Sequence, residues 1–370
     1  MNSERLMNTF LDMVRIDSLS RHEAAMAAHC RAIFEDLGFS VTTDNADQTV
    51  GSDTGNLIAD LPGTAEGHIV LTAHMDCVAP CNGVRPVVED GVVRSAGDTI
   101  LGADDKAGIA AIMEAVRTIL ESGEARPRIT VILTICEELS LLGASALADD
   151  LFEGGVPCVV FDADGAPGTI ISGAPAHYTF KGVFRGRSAH AGVKPEAGIS
   201  AIAVAADAVS RMNLGRLDEC TTANVGMISG GREVNIVADL CTVDGECRSL
   251  KKDRVEAVKE QLTQSMQDAA DAAGATVDIS WRVDYPAILY TEDHPLMGLL
   301  AGAARNAGLE PCFKTSGGGA DANVFGTKGL APVTVGIGMT NFHTTDEFIK
   351  VEDLEGTARF ATEIIRASVQ

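Results

Sequence analysis

Gly102-Ala103-Asp104-Asp105-Lys106-Ala107-Gly108 is the stretch on which the reading of this chain turns. It follows a short polar turn, residues 95–99, and opens the apolar-periodic run 108–120. That order predicts a loop feeding the N-terminus of a helix. Two adjacent carboxylates repel each other unless positive charge lies close, and a helix dipole supplies only part of it. A divalent metal would supply far more. Alone, an acidic pair at this place is a helix cap, so other segments must provide the remaining ligands.

Outward from that loop, apolar strands alternate with helices. Residues 68–73 form a compact β-branched run ending at His74-Met75-Asp76. Residues 128–136 form another, ending in Glu137-Glu138, and 158–161 a third, ending in Asp162-Ala163-Asp164-Gly165. Helical patterns at 108–120 and about 143–151 separate them, and two more, 4–16 and 21–37, precede short strands at 41–43 and 56–61. The pattern predicts an α/β fold with a doubly wound, mostly parallel sheet, whose strand ends are where such folds build sites.

From residue 178 the character changes. Strands at 178–184, 222–228, 235–247 and 276–285 and helices at 195–212 and 251–273 run in β-α-β-β-α-β order, which fits an antiparallel sheet with two helices on one face. An inserted α+β lid or dimerisation domain is therefore expected over 178–286, splitting a catalytic domain into 1–177 and 287–370. The second part holds a helix at 295–307, Gly317-Gly318-Gly319, a strand at 331–336, the loop 343–347 and a helix at 351–367.

The chain has 370 residues, 46% of them hydrophobic, with few aromatics, so Ala, Val, Ile and Leu must build a sizeable core. A net charge of −23 argues against nucleic acid and anionic membranes as partners. No apolar run approaches the ~20 residues of a membrane span, and residues 1–20 read as a charged amphipathic helix rather than a secretory signal. The nine cysteines are an odd number, several lie inside apolar strands, and Cys77 and Cys81 lack the spacing of a zinc knuckle. Reduced, mostly buried thiols in a cytoplasmic protein are expected.

The candidate ligands are His74, Asp104, Glu137 or Glu138, Asp162 or Asp164, and His343. Imidazole plus carboxylate without thiolate suits zinc, manganese or cobalt held for hydrolysis rather than a structural zinc. Two metals sharing one carboxylate at ~3.5–4 Å can activate a bridging water and polarise a scissile carbonyl. That needs five ligands and one unligated carboxylate as base, which is the inventory here. Each residue alone has an ordinary reading: a strand-end histidine is a hydrogen-bonded group, Asp76 a turn former, Glu137-Glu138 a helix start. Asp162 follows its strand directly, whereas Asp164-Gly165 reads as a turn, which favours Asp162.

In their order, His74-Met75-Asp76, Gly102 to Gly108, Glu137-Glu138, Ala189-His190-Ala191-Gly192 and His343-Thr344-Thr345-Asp346-Glu347 resemble the co-catalytic di-zinc peptidases, the family of peptidase T, carboxypeptidase G and aminoacylase. The resemblance spans almost the whole chain and is nearest to peptidase T and peptidase T-like proteins. It departs at Cys77, where a small hydroxyl residue is common, and at Asp162, whose segment is not the Asp-Gly-Gly of peptidase T. The resemblance implies that Asp104 bridges two divalent metals, zinc with cobalt or manganese as alternatives, and precedes a cis peptide. His74 and Asp162 would complete one site, Glu138 and His343 the other. Glu137 would be the general base toward the bridging water, and Asp76 would orient His74. His190 would reach the substrate oxyanion, within the chain or across a homodimer formed through the lid. Asn235 and Arg248 would bind substrate, Arg248 at a carboxylate, and Gly318 would let the backbone approach it.

The resemblance implies a peptidase acting on short peptides, most like a tripeptide aminopeptidase. A deacylase of N-acyl amino acids or a carboxypeptidase would use the same groups. A catalytically inactive binding protein on this fold is the third reading, and the presence of both Glu137 and the full ligand set counts against it.

Overall fold

A computed structural model of the chain describes residues 1–149, 151–152 and 154–369. Its contacts divide it into two compact units. The first comprises Met1–Ser172, Tyr290–Ser316 and Ala320–Gln370, and the second comprises Gly173–Leu289 with Gly317–Gly319.

The first unit is an α/β sheet with a parallel centre. Strands Arg128–Thr134, His68–His74, Val156–Ala163 and Leu330–Gly336 lie side by side in that order, all parallel. Antiparallel strands flank them: Leu57–Leu61 and Ser40–Thr43 on one side, Thr169–Ala174 on the other. Strands His68–His74 and Arg128–Thr134 are buried along nearly their whole length, as strands covered on both faces must be. Helices Ser3–Val14, Ala103–Ser122, Pro295–Asn306 and Val351–Ala367 pack on one another as one layer; the short helices Asp321–Phe325, Leu142–Ala146 and Ala46–Val50 form another. Ala103–Ser122 is buried on most sides because Ala, Ile, Met and Val occupy nearly every turn. The short helix was expected to run to residue 151; it stops at Ala146, and Asp150 lies outside the described residues. A hairpin, Pro86–Glu89 and Val92–Ser95, pairs with Phe348–Lys350 in a small separate sheet that periodicity did not reveal.

The second unit is an antiparallel five-stranded sheet ordered Gly215–Asp218, Thr221–Gly230, Leu240–Ser249, Ala176–Arg185, Thr276–Tyr285. Helices Ala201–Arg211 and Lys252–Ala273 cover it, burying Phe184, Val243, Val255, Leu262 and Met266. Two readings need correction. A short strand precedes Thr221–Gly230, giving β-α-β-β-β-α-β, and residues 235–239 are not strand: they form a loop in which Ile236 bridges His190.

Candidate metal centre

His74, Glu137-Glu138 and Asp162 reach one place because they end three neighbouring parallel strands. The Asp104 loop meets them from the helix that follows. The peptide Asp104–Asp105 is cis, and both residues sit off helical dihedrals, so the regular helix starts after them.

Asp104 faces two imidazoles with its two oxygens. Oδ1 lies 3.0 Å from His74 Nε2, and Oδ2 lies 3.2 Å from His343 Nε2. His343 Nε2 is also 2.9 Å from Glu138 Oε1, and His74 Nε2 is 3.6 Å from Asp162 Oδ1. Asp164 is exposed in the loop that follows the strand. His74 Nδ1 meets the main-chain oxygen of Asp76 at 2.9 Å, with the Asp76 carboxylate at 3.4 Å. That carboxylate has further work: it accepts the N–H of Glu137 at 2.9 Å and of Glu138 at 3.3 Å, and the Ser20 hydroxyl at 2.7 Å. Asp76 therefore fixes the turn carrying both glutamates as well as the histidine.

The electrostatics are those of a centre short of positive charge. Burial pushes Asp162 up to about 7, and it raises Glu137 well above the carboxylate range, with Asp162 and other acids adding to the effect. Burial also raises Glu138, against the pull of His343. Burial would raise Asp104 too, but hydrogen bonds from His343 and His74 hold it well below its usual value. Despite burial, His74 is raised by Asp104, Asp162 and Asp76, and His343 goes to about 10 through Asp104 and Glu138. The ligand atoms of His74, Asp104 and Glu138, and those of His74, Asp105 and Asp162, lie within 4.8 Å of one another in each group. Asp105 Oδ1 is buried with no hydrogen-bond partner. Buried oxygens in excess of donors, with imidazole nitrogens among them, fit hard or borderline divalent cations.

Three acids in this region escaped the sequence reading. Asp105 Oδ2 accepts the His74 N–H at 3.1 Å. Glu347 accepts the N–H groups of Gly102 at 2.6 Å and Asp104 at 3.0 Å, and burial pushes it up to about 7. Asp321 is buried, takes the Thr134 hydroxyl at 2.5 Å, and is also pushed to about 7 by burial. Asp105 and Glu347 stood inside quoted motifs, which was the available signal.

The remaining residues belong to the second unit. His190 is exposed; its Nδ1 accepts the Gly192 N–H at 3.2 Å, and Ala191 N–H donates to the Asn235 carbonyl at 2.9 Å, so His190 and Asn235 share one loop pair. Arg248 is held by Glu246 at 2.9 Å and approaches the Tyr285 hydroxyl at 3.5 Å. That hydroxyl accepts the N–H of Gly319, the neighbour of Gly318, at 3.2 Å. A Cβ at 319 would run into the Tyr285 ring, so glycine is required there.

A parallel-centred α/β sheet with carboxylates and imidazoles converging at its strand ends defines a metal-dependent hydrolase. The chain belongs to peptidase family M20/M25/M40, whose sequence pattern matches residues 70–367, and it is a metallopeptidase. It is 40% identical to uncharacterized protein YqjE of Bacillus subtilis over 370 residues, covering all of both chains. Among solved structures, it is similar to aminopeptidase PepT of Bacillus cereus (38% identity, TM-score 0.94) and to a tripeptidase of Staphylococcus aureus (35%, TM-score 0.95), each covered over its whole length and that of this chain.

Proposed function

We propose that the protein is a di-metal aminopeptidase of short peptides, most like a tripeptidase. The observation that carries this is Asp104, whose two oxygens face two different imidazoles, as a carboxylate shared by two cations would. His74 and Asp162 would hold one cation and Glu138 and His343 the other, with Asp104 common to both. The likeness to proteins named aminopeptidase PepT and tripeptidase supports the substrate class. Zinc suits this nitrogen–oxygen donor set, with cobalt or manganese as alternatives.

When bound, the cations polarise the scissile carbonyl and acidify water. Glu137 accepts the water proton and delivers it to the leaving amine. Its burial, which shields it from bulk water, suits a group that must hold a proton between two steps. Asp76 keeps Glu137 in place through the 2.9 Å hydrogen bond to its N–H. Oxyanion stabilisation is assigned to His190, and substrate contact to Asn235 and Gly318, on their motifs. Arg248 would bind the substrate's terminal carboxylate bidentately, exchanging Glu246 for it.

Residues 178–286 would serve as the lid and dimerisation domain, flanked in sequence by catalytic segments 1–177 and 287–370. Support for a homodimer comes from Met227, Ile228 and Val234, large apolar side chains exposed in that unit. The nine cysteines are all free, which accords with a cytoplasmic location; no helix among the described residues is long and apolar enough to cross a membrane. Free tripeptides compared with N-acyl amino acids test the activity: cleavage of only the blocked substrates would replace this reading with a deacylase or carboxypeptidase, and cleavage of neither by metal-loaded protein with a binding protein.

A further inference from the structure

Cys77 and Cys81 are both buried, both free, and unused by the mechanism above. They meet beneath Gly102, the residue that starts the Asp104 loop. Gly102 has φ +75°, and a Cβ on it would stand 3.1 Å from the sulfur of Cys77 and 3.1 Å from that of Cys81. The two sulfurs therefore lie no further apart than twice that distance. Lys106 Nζ shares the space, 3.5 Å from the same point, and donates to the carbonyl of Ile16 at 2.9 Å. The Cys77 thiol also donates to the Asp104 carbonyl at 3.5 Å.

We infer that Cys77 and Cys81 form a peroxide-sensitive dithiol whose oxidation to a disulfide disarms the Asp104 loop. A hydroperoxide is the oxidant. One sulfur attacks its terminal oxygen, giving a sulfenic acid and releasing water or an alcohol; the other thiol displaces the sulfenic oxygen as water and forms the S–S bond. Two thiols lose two hydrogens and two electrons, and the peroxide is reduced by the same two electrons. The ammonium of Lys106 favours negative charge on the attacking sulfur. Four-residue spacing across a turn keeps the closed loop short, and a side-chain-free Gly102 leaves room for the sulfurs to approach. The disulfide removes the Cys77 thiol from the Asp104 carbonyl, so the His74–Asp76 turn and the Gly102–Asp104 turn lose a direct link. The effect on activity rests on the metal-centre reading; disulfide formation does not.

The test treats metal-loaded, full-length protein with hydrogen peroxide, maps cysteine linkages by mass spectrometry, and follows peptidase activity before and after dithiothreitol. The expected result is a Cys77–Cys81 link accompanied by a fall of roughly tenfold to a hundredfold, the usual cost of disturbing a ligand's supporting shell, reversed by the reductant. Cys81→Ala should keep its basal activity and resist peroxide. A wild-type map without that link overturns the inference whether or not the variant folds. So does a Cys81→Ala enzyme inactivated as fast as wild type, or a linked enzyme of unchanged activity. Reduced protein that cleaves no peptide would instead count against the proposed function, and the linkage map would still judge the dithiol.

Discussion

Glu347 accepts the backbone N–H of Asp104 at 3.0 Å, across 243 positions of sequence, while its other oxygen takes the N–H of Gly102 at 2.6 Å. One buried carboxylate thus clamps both ends of the turn that presents Asp104. An amide has only one accepting oxygen, so Glu347→Gln leaves a buried N–H unpaired. A stability loss of about 1–3 kcal/mol is expected, with metal affinity lower by roughly 10- to 100-fold. Thermal melts with and without chelator measure both, and an unchanged metal affinity would show the clamp to be irrelevant to the centre.

Asp76 supports the glutamates as firmly as it supports His74. Asp76→Asn turns an amide donor toward the N–H of Glu137 or Glu138, or toward the Ser20 hydroxyl. We expect kcat to drop roughly 10- to 100-fold, as for other supporting groups, with KM little changed. A variant that alters KM alone would argue that Asp76 acts on substrate instead.

Arg248 supplies a test of substrate orientation. Removing a charge-assisted pair worth about 1.5–3 kcal/mol should raise KM for free tripeptides roughly 10- to 100-fold in Arg248→Ala. The same peptides as C-terminal amides should be indifferent to the substitution. Equal losses on both would reassign Arg248 to folding, through Glu246 and Tyr285.

The strand Thr221–Gly230 pairs with its short outer neighbour only at Thr221, Thr222 and Ala223, leaving its later residues without an outer partner among the described strands. Met227 and Ile228 are exposed on that stretch. An apolar open edge invites a second copy, so Met227→Lys with Ile228→Glu should convert a dimer to a monomer in sedimentation equilibrium. A wild-type chain that is already monomeric would contradict the expectation.

Three of the four parallel strands were legible because each is a short apolar, β-branched run leading into titratable residues, as at His74, Glu137 and Asp162; the fourth, Leu330–Gly336, ends in glycine. Helix Val351–Ala367 and strand Thr276–Tyr285 fall where periodicity places them. The hairpin 86–95 was not legible, since it is half-exposed and carries no strong alternation. Residues 235–239 read as strand through Ile236 and Val237, but they pair through one bridge and a loop. Glu347 and Asp105 were hidden for a different reason. Their partners are backbone N–H groups, which leave no mark on sequence, and Glu347 finds them far along the chain.

Metal content and peptidase activity measured together, on wild type and Glu137→Ala after zinc, cobalt or manganese loading, test the central claim. About two metals per chain are expected in both proteins, with activity in the variant lower by on the order of 10³-fold or more. A wild type that binds no metal under any loading would contradict it. A variant that loses a metal would exchange the roles of Glu137 and Glu138.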